Sequence, residues 1–451
     1  MKFFLEGELV MDSWFREQVL QQVEERGVHF VRLQFTDLFG VLKNVAITVN
    51  QLEKALEGSL VFDGSALGDF FPAEENDLFL IPDPSTFVPF PWRPREGAVA
   101  RLICSMKDAK GRPFEGCVRT VLRKAIREVM EKGYSMSVAP QAEFYLFTVD
   151  NTGRPTTVTH DRAGRFDLTP LDMGENARRE MIIALQDMGF DIETSHHEVS
   201  PGQHEIDFKS DSVLSAADNI VTYKFVIRTI AQRHGLHATF MPKPLRDLGG
   251  SGLHLRMILF SGEKNAFYDP NEEDKRSDTL RYFIGGLLRH APALSALANP
   301  TVNSFKRLNS DRAPKYITWS EVCGSSVVRV PFSSDECFVE WQSPDPACNP
   351  YLALAGVIKA GLDGIENKIE PPQPAETDPD LLSSRERERL GIRRLPETIA
   401  EALDALKNDP VINSTLGSYI TDNFIKAKLL EWEDYKREVS QWEIDRYLTK
   451  F

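Results

Sequence analysis

At 451 residues the chain exceeds one ordinary domain of roughly 100–200 residues, and its 42% hydrophobic and 27% charged content excludes a disordered chain or a disulfide-dense mini-protein. Acidic side chains outnumber basic ones by 67 to 53, giving a net charge of −14, a sign that repels a phosphodiester backbone and argues against a nucleic-acid partner. No apolar run reaches the roughly 18–20 residues a membrane span needs, and Glu6, Glu8 and Asp12 stand where a signal peptide would be apolar. A cytoplasmic protein without a membrane partner is expected. The five cysteines (Cys104, Cys117, Cys323, Cys337, Cys348) form no CxxC pair and read as buried free thiols.

In chain order, residues 13–26 carry helical spacing and end at Gly27. VHFVRLQFTDLFGVLKNVAIT then gives two β-rich runs joined around Asp37 to Gly40. DPSTFVPFPWRPRE, rich in Pro and Phe, reads as a loop, and ARLICSM reads as a further strand. A helix is expected from near Glu115 to about Lys132, with a domain boundary near residue 112. Strand-like runs follow (SMSVAPQAEFYLF, GQHEIDF, HATFMP, LHLRMILF, SVVRVP, CFVEW), alternating with helical runs at 175–189, 211–234, 274–297 and 350–365. This is an α+β pattern. From about 380 the chain holds mixed-charge helices without period-2 stretches, and RERERLGIRR reads as a solvated helix face.

No Walker A loop, GxGxxG, HExxH or GxSxG is present. What remains is a set of acidic and imidazole groups on short strands. In VAPQAEFYLF the two-residue period puts Gln141, Glu143 and Tyr145 on one face, opposite Ala142, Phe144 and Leu146. SHHEVSPGQHEIDF places Glu198 and Glu205 on either side of a Pro201-Gly202 turn. LHLRMIL adds His254, and CFVEWQS adds Glu340. Singly, each is explained as well by a solvent-facing carboxylate or a satisfied core histidine. Together, four carboxylates and one imidazole suit Mg²⁺ or Mn²⁺, and two such ions would offset their mutual repulsion.

The ordered motifs FTDLFGVLKNV, VFDGSALGDF, APQAEFYLF, HHEVSPGQHEIDF, ATFMPKPLRDLGGSGLH, NPTVNSFKRL and PDPACNPYLALAG make the chain resemble type I glutamine synthetase along nearly its whole length. The resemblance implies a β-grasp N-terminal domain (1–112) and a catalytic domain (113–451) built round an antiparallel half-barrel with surrounding helices. It further implies rings, usually dodecamers, with active sites between neighbouring subunits, and ATP-dependent joining of a carboxylate to an amine through an acyl phosphate. Glu143, Glu198 and Glu205 fall on the ligands of the tighter metal site. His254, Glu340 and Gln141 fall on the second, where Gln141 replaces a glutamate and weakens the site. Arg307 falls on the arginine that grips the substrate α-carboxylate, and Gly250 on the loop that cradles it. Arg329 matches an arginine assigned to nucleotide phosphates, and Asp37 an aspartate that a neighbouring subunit donates for ammonium.

Departures from the family pattern gather at the same face. Arg312, in NSDRAP, stands where the family carries a flap glutamate; it is expected to act at the catalytic centre but would repel ammonium. Gly324, Phe338 and Gln342 stand where arginines are implied, so that Phe338 and Arg256 would meet the nucleotide and Gln342 an altered end of the substrate. Gly249 replaces an asparagine. Each charge-assisted contact to a charged transition state is worth roughly 2–4 kcal/mol. Three readings follow: a glutamine-synthetase-like ligase with altered substrates, an ordinary glutamate–ammonia ligase, and a non-catalytic homologue with a binding or regulatory role. PPQPAETDPDLL holds no Tyr, so adenylylation there is not expected.

Overall fold

The computed structural model describes residues 2–67, 77–93, 96–311, 313–331 and 337–451. After helix α1 (Lys2–Glu25), β1 (Val28–Thr36) and β2 (Leu42–Thr48) form an antiparallel hairpin, and β1 also pairs in parallel with β5 (Ala98–Lys107). Helix α2 (Leu52–Leu56), β3 (Leu60–Asp63) and β4 (Asp77–Pro89) complete a five-stranded sheet in the order β2-β1-β5-β4-β3. Val31, Leu33, Leu80 and Leu102 alternate inward and are fully buried with Val19 and Val23 of α1.

One expectation is corrected here. The segment DPSTFVPFPWRPRE does not begin as a loop, because Asp83–Pro89 lies within β4 and continues its pairing with β5. A register shift between Asp83 and Val88 takes up Pro84 and Ser85, the place where a ladder tolerates proline.

The larger domain opens with α3 (Val118–Glu131) and is organised by β6 (Ser135–Val149), which carries β7 (Pro155–Thr159), β9 (Gln203–Phe208), β10 (Asp211–Ser212), β11 (Leu236–Thr239) and β12 (Leu253–Ser261) as partners. With β8 (Ile192–His197), β13 (Lys264–Asn265), β14 (Tyr316–Ser320), β15 (Ser326–Arg329), β16 (Val339–Trp341) and β17 (Arg393–Arg394) they form a twelve-stranded, nearly closed sheet. Only the β14/β15 pair among its described ladders is parallel. Helices α4 (Glu175–Asp187), α5 (Val213–Arg233), α6 (Asp278–Ala298), α7 (Val302–Leu308) and α8 (Pro350–Glu366) cover it. The C-terminal part holds the expected helices, α9 (Ser384–Arg389), α10 (Ile399–Lys407), α11 (Pro410–Leu416), α12 (Ser418–Arg437) and α13 (Gln441–Tyr447). It also supplies β17, a strand too short to leave a period in the sequence. All five cysteines are buried and free.

Two contacts seat the domains on each other. The Arg119 guanidinium bridges Asp83 of β4 and Asp218 of α5, each at 2.8 Å, and Tyr351 Oη donates to the same Asp218 at 2.7 Å. Asn349 Nδ2 donates to the carbonyls of Asp37 and Leu38, both at 3.1 Å. Gly40, at φ +81°, lets this turn approach: a Cβ there would lie 2.9 Å from the Asn349 Cα.

Candidate active site

The β6/β9 register sets Glu143 directly opposite Glu205, and Glu198 follows the last residue of β8. As expected from alternation, Ala142 and Phe144 point into the core while Glu143 faces the other way. Carboxylate oxygens of Glu143, Glu198 and Glu205 come within 4.8 Å of one another. The consequence is electrostatic. Burial, then repulsion from Glu143, Asp207 and Glu198, pushes Glu205 up to about 10, and burial together with the Glu198 charge raises Glu143 against the pull of His254. Glu198 goes the other way, because its hydrogen bond with His196 and the Arg165 charge outweigh its burial.

Three carboxylates gathered this closely either retain protons or share a cation, so the donor set fits a hard divalent ion such as Mg²⁺ or Mn²⁺. Glu143 Oε2 is already taken by Gln203 Nε2 at 3.1 Å and by the Gly252 amide at 2.7 Å. Those bonds fix the orientation of its other oxygen.

Gln141 lies opposite His254 in the β6/β12 ladder, and Arg256 lies opposite both Ala139 of β6 and Glu340 of β16. Glu340 is heavily compensated: His254 Nδ1 is 3.5 Å away, Arg329 3.1 Å, and Gln342 Nε2 donates at 3.0 Å. Burial opposes ionisation of Glu340, but these partners hold it down at about 2. Gln141 is uncharged, and the Glu340 charge is already met by His254, Arg329 and Gln342. Arg329, expected at nucleotide phosphates, thus binds Glu340 in this structure, while Arg256 spans the Phe338 ring at 5.8 Å and Glu193 at 3.4 Å. The Oε1 of buried Gln342 has no hydrogen-bond partner among the described residues.

Arg307 lies in the last turn of α7, a helix fixed by a reciprocal Thr301–Ser304 cap. Its guanidinium donates to the carbonyls of Ser343 at 2.9 Å and Gln342 at 3.4 Å, and burial lowers its pKa. Gly250 packs against it so closely that a Cβ would sit 2.7 Å from both Arg307 Cγ and the Pro242 carbonyl. At Gly324 a Cβ would meet nothing within 4 Å. Asp37 stands apart from these groups: its Oδ1 accepts from the amides of Phe39 at 3.0 Å and Val41 at 2.9 Å, with Lys43 3.8 Å from Oδ2. Arg312 lies outside the described residues.

Sequence reasoning passed over the groups behind the triad. His196 Nε2 is 2.7 Å from Glu198 and 3.9 Å from Glu205. Asp161 Oδ1 accepts from the Gly202 amide at 2.8 Å and faces His197 Nε2 at 3.3 Å, bracing the β8–β9 turn. Asp161, Asp172, His197 and His204 have the residue types and proximity of a metal cluster. Arg178 occupies it instead, 2.8 Å from Asp172 and 2.8 Å from His204 Nδ1. Since that nitrogen accepts from Arg178, a neutral His204 carries its proton on Nε2 and is no ligand. The one available signal was position: His197 and His204 each immediately precede a triad glutamate.

A sheet curved round converging carboxylates, joined to a β-grasp domain, defines a carboxylate-rich site of the kind that handles phosphoryl groups with divalent metal. The chain belongs to the glutamine synthetase family. Residues 27–109 match the glutamine synthetase β-grasp domain and residues 115–447 its catalytic domain. It is 48% identical to the glutamine synthetase of Clostridium saccharobutylicum, across 98% of this chain and all of that one. The Thermus thermophilus glutamine synthetase is 49% identical across 97% of this chain and all of its own length. Among solved structures, the GmaS/ADP complex superposes with a TM-score of 0.87 at 31% identity, covering 96% of this chain and 99% of that one. Ligand-free GmaS gives 0.85 at 31% identity, covering 95% and 99%. The protein is an enzyme, a ligase of the glutamine synthetase type.

Proposed function

We propose that this ligase uses ATP to activate a carboxylate as an acyl phosphate and joins it to an amine, with at least one substrate other than glutamate or ammonia. The observation that carries the reading is that no arginine stands at positions 338, 342 or 324 about Glu340, whose charge is met by Arg329 and His254 instead. Phe338 and Gln342 flank it, and Gly324 opens onto free space. Arginines at these positions would supply charge to a transferring phosphoryl group; an amide and a phenyl ring cannot. The unpaired Gln342 Oε1 is a buried acceptor suited to a donor on the substrate, the reverse of what a guanidinium would offer.

In this reading Arg307 binds an α-carboxylate or comparable anion, with Gly250 allowing the backbone close to it. Glu143, Glu198 and Glu205 hold one divalent ion, and His254, Glu340 and Gln141 a second, weaker one. The bound metal supplies positive charge to the phosphoryl oxygens. Arg329 and Arg256, with Phe338, border the nucleotide, Arg312 approaches the reacting centre from the flap, and Asp37 serves the site of a neighbouring subunit in a ring.

The experiment is ADP release with Mg²⁺ or Mn²⁺ across a panel of amino acids and amines, with glutamate and ammonium as one arm. Turnover with another pair exceeding that arm supports the proposal. Ordinary turnover with glutamate and ammonium alone, matched by γ-glutamyl transfer, overturns it in favour of a plain glutamate–ammonia ligase. That second reading is favoured by the two full-length relatives above, which carry the name glutamine synthetase at 48% and 49% identity.

A further inference from the structure

Between the β-grasp sheet and the catalytic domain lies a cavity of about 620 Å³, within the range of small-molecule sites. One wall is the β1–β2 hairpin with Arg32, Gln34 and Asn44; the opposite wall is α5, with Lys224 and Arg228 one turn apart. The lining contains these three cations and no Asp, Glu or His, in a chain whose net charge is −14. Lys224 is buried, and its ammonium rests on the Cys348 carbonyl at 3.1 Å without a carboxylate partner among the described residues. Asp345, the acidic group acting on it, is engaged by Asn299 at 3.1 Å and the Ala347 amide at 2.9 Å. Arg228 lies over the Phe240 ring at 5.2 Å, and Arg32 donates to Asn44 at 3.2 Å. Buried cations ordinarily have counter-charges. Here the buried one, Lys224, has no carboxylate in ion-pair contact among the described residues, nor has the more exposed Arg228, and desolvation pushes both below their usual range.

We infer that this interdomain cavity is a binding site for a small dicarboxylate. Cations on both domains call for an anionic group at each end of the ligand, and Phe39, Leu42, Phe225 and Met241 line the space with apolar surface suited to a short methylene chain. Inorganic phosphate would fill only part of that volume and offers no apolar middle.

The cavity also touches the substrate loop from behind. Met241 and Pro242 line it, and the Pro242 carbonyl accepts from the Ser251 amide at 2.8 Å beside Gly250. Asn303, another lining residue, holds Lys243 by its amide at 2.7 Å and its carbonyl at 3.0 Å. An occupant therefore bears on the segment that packs against Arg307.

Calorimetry on the full-length protein with succinate, glutarate, acetate and phosphate tests the inference without turnover, so its outcome is separate from that of the proposed reaction. The expected result is one dicarboxylate per chain, weakened about tenfold or more in Arg228→Gln and in Arg32→Gln and retained in Arg307→Gln. Loss in Arg307→Gln with retention in the other two would place the anion in the substrate site and overturn the inference. Equal binding of acetate or phosphate, or no binding of any probe, would overturn it as well.

Discussion

Glu205 is the residue on which the chemistry of the carboxylate triad turns, because it carries the greatest electrostatic cost. Glu205→Gln replaces a carboxyl that burial and its acidic neighbours already hold in the neutral form, so the metal-free protein is expected to keep or slightly gain stability. Mn²⁺ affinity should meanwhile fall about tenfold or more, since each lost ligand in a hard-oxygen site weakens it by that order. Mn²⁺ binding followed by electron paramagnetic resonance, together with thermal melts, reads both quantities. A fall in stability without loss of Mn²⁺ binding would show a structural carboxylate. Gln141→Glu runs the other way: restoring a carboxylate beside His254 is expected to tighten the second ion by about tenfold, seen as a second Mn²⁺ equivalent appearing at lower concentration. Strand alternation makes the shared face of Glu143 and Gln141 legible in the residue order alone, because a period of two decides the face. It could not supply Gln203, His196 or Asp161, whose contacts depend on register between β6, β8 and β9 and on the path of the turn between them.

At the scale of elements, His290 ties three helices together. Its Nδ1 is 2.6 Å from Asp409, the residue that caps α11, and its Nε2 is 3.1 Å from Asp363 of α8. Burial lowers the His290 pKa, but the two hydrogen-bonded carboxylates outweigh burial and raise it above its ordinary value. A histidine raised in the folded state contributes stability that is complete below its unfolded value, about 6.5, and is lost as pH rises through the folded value. The wild type should therefore lose more stability than His290→Gln between about pH 6 and pH 9, and the variant should cost about 1–3 kcal/mol at the acid end, the range for a buried charged hydrogen bond. Melting temperatures of both proteins across that range check this; parallel curves would show that His290 does not titrate there. Helices such as α3, α5 and α8 were legible because their apolar spacing is local. The second half of β4 was not, because its extended course depends on β5, and prolines read as a loop until a partner strand is known.

For the whole molecule, the open question is whether one chain makes a complete site. Asp37 is pinned in its own turn by the Phe39 and Val41 amides, and no described contact joins it to the triad of the same chain. Burial outweighs those bonds and the Lys43 charge and raises its pKa. If the β-grasp domain completes a neighbour's site, Asp37→Asn and Arg307→Gln damage different halves of it. Asn keeps an oxygen for the two turn amides, so the first variant should fold normally and lose turnover by about two orders of magnitude. Arg307→Gln should lose at least as much by failing to hold the carboxylate. Co-expressed in equal amounts, the two variants would assemble rings in which about one quarter of sites pair an intact Asp37 with an intact Arg307 across the interface, restoring activity in that proportion. Activity no greater than the sum of the separate variants would mean that each chain acts alone, and size measurement on the same samples shows whether rings formed.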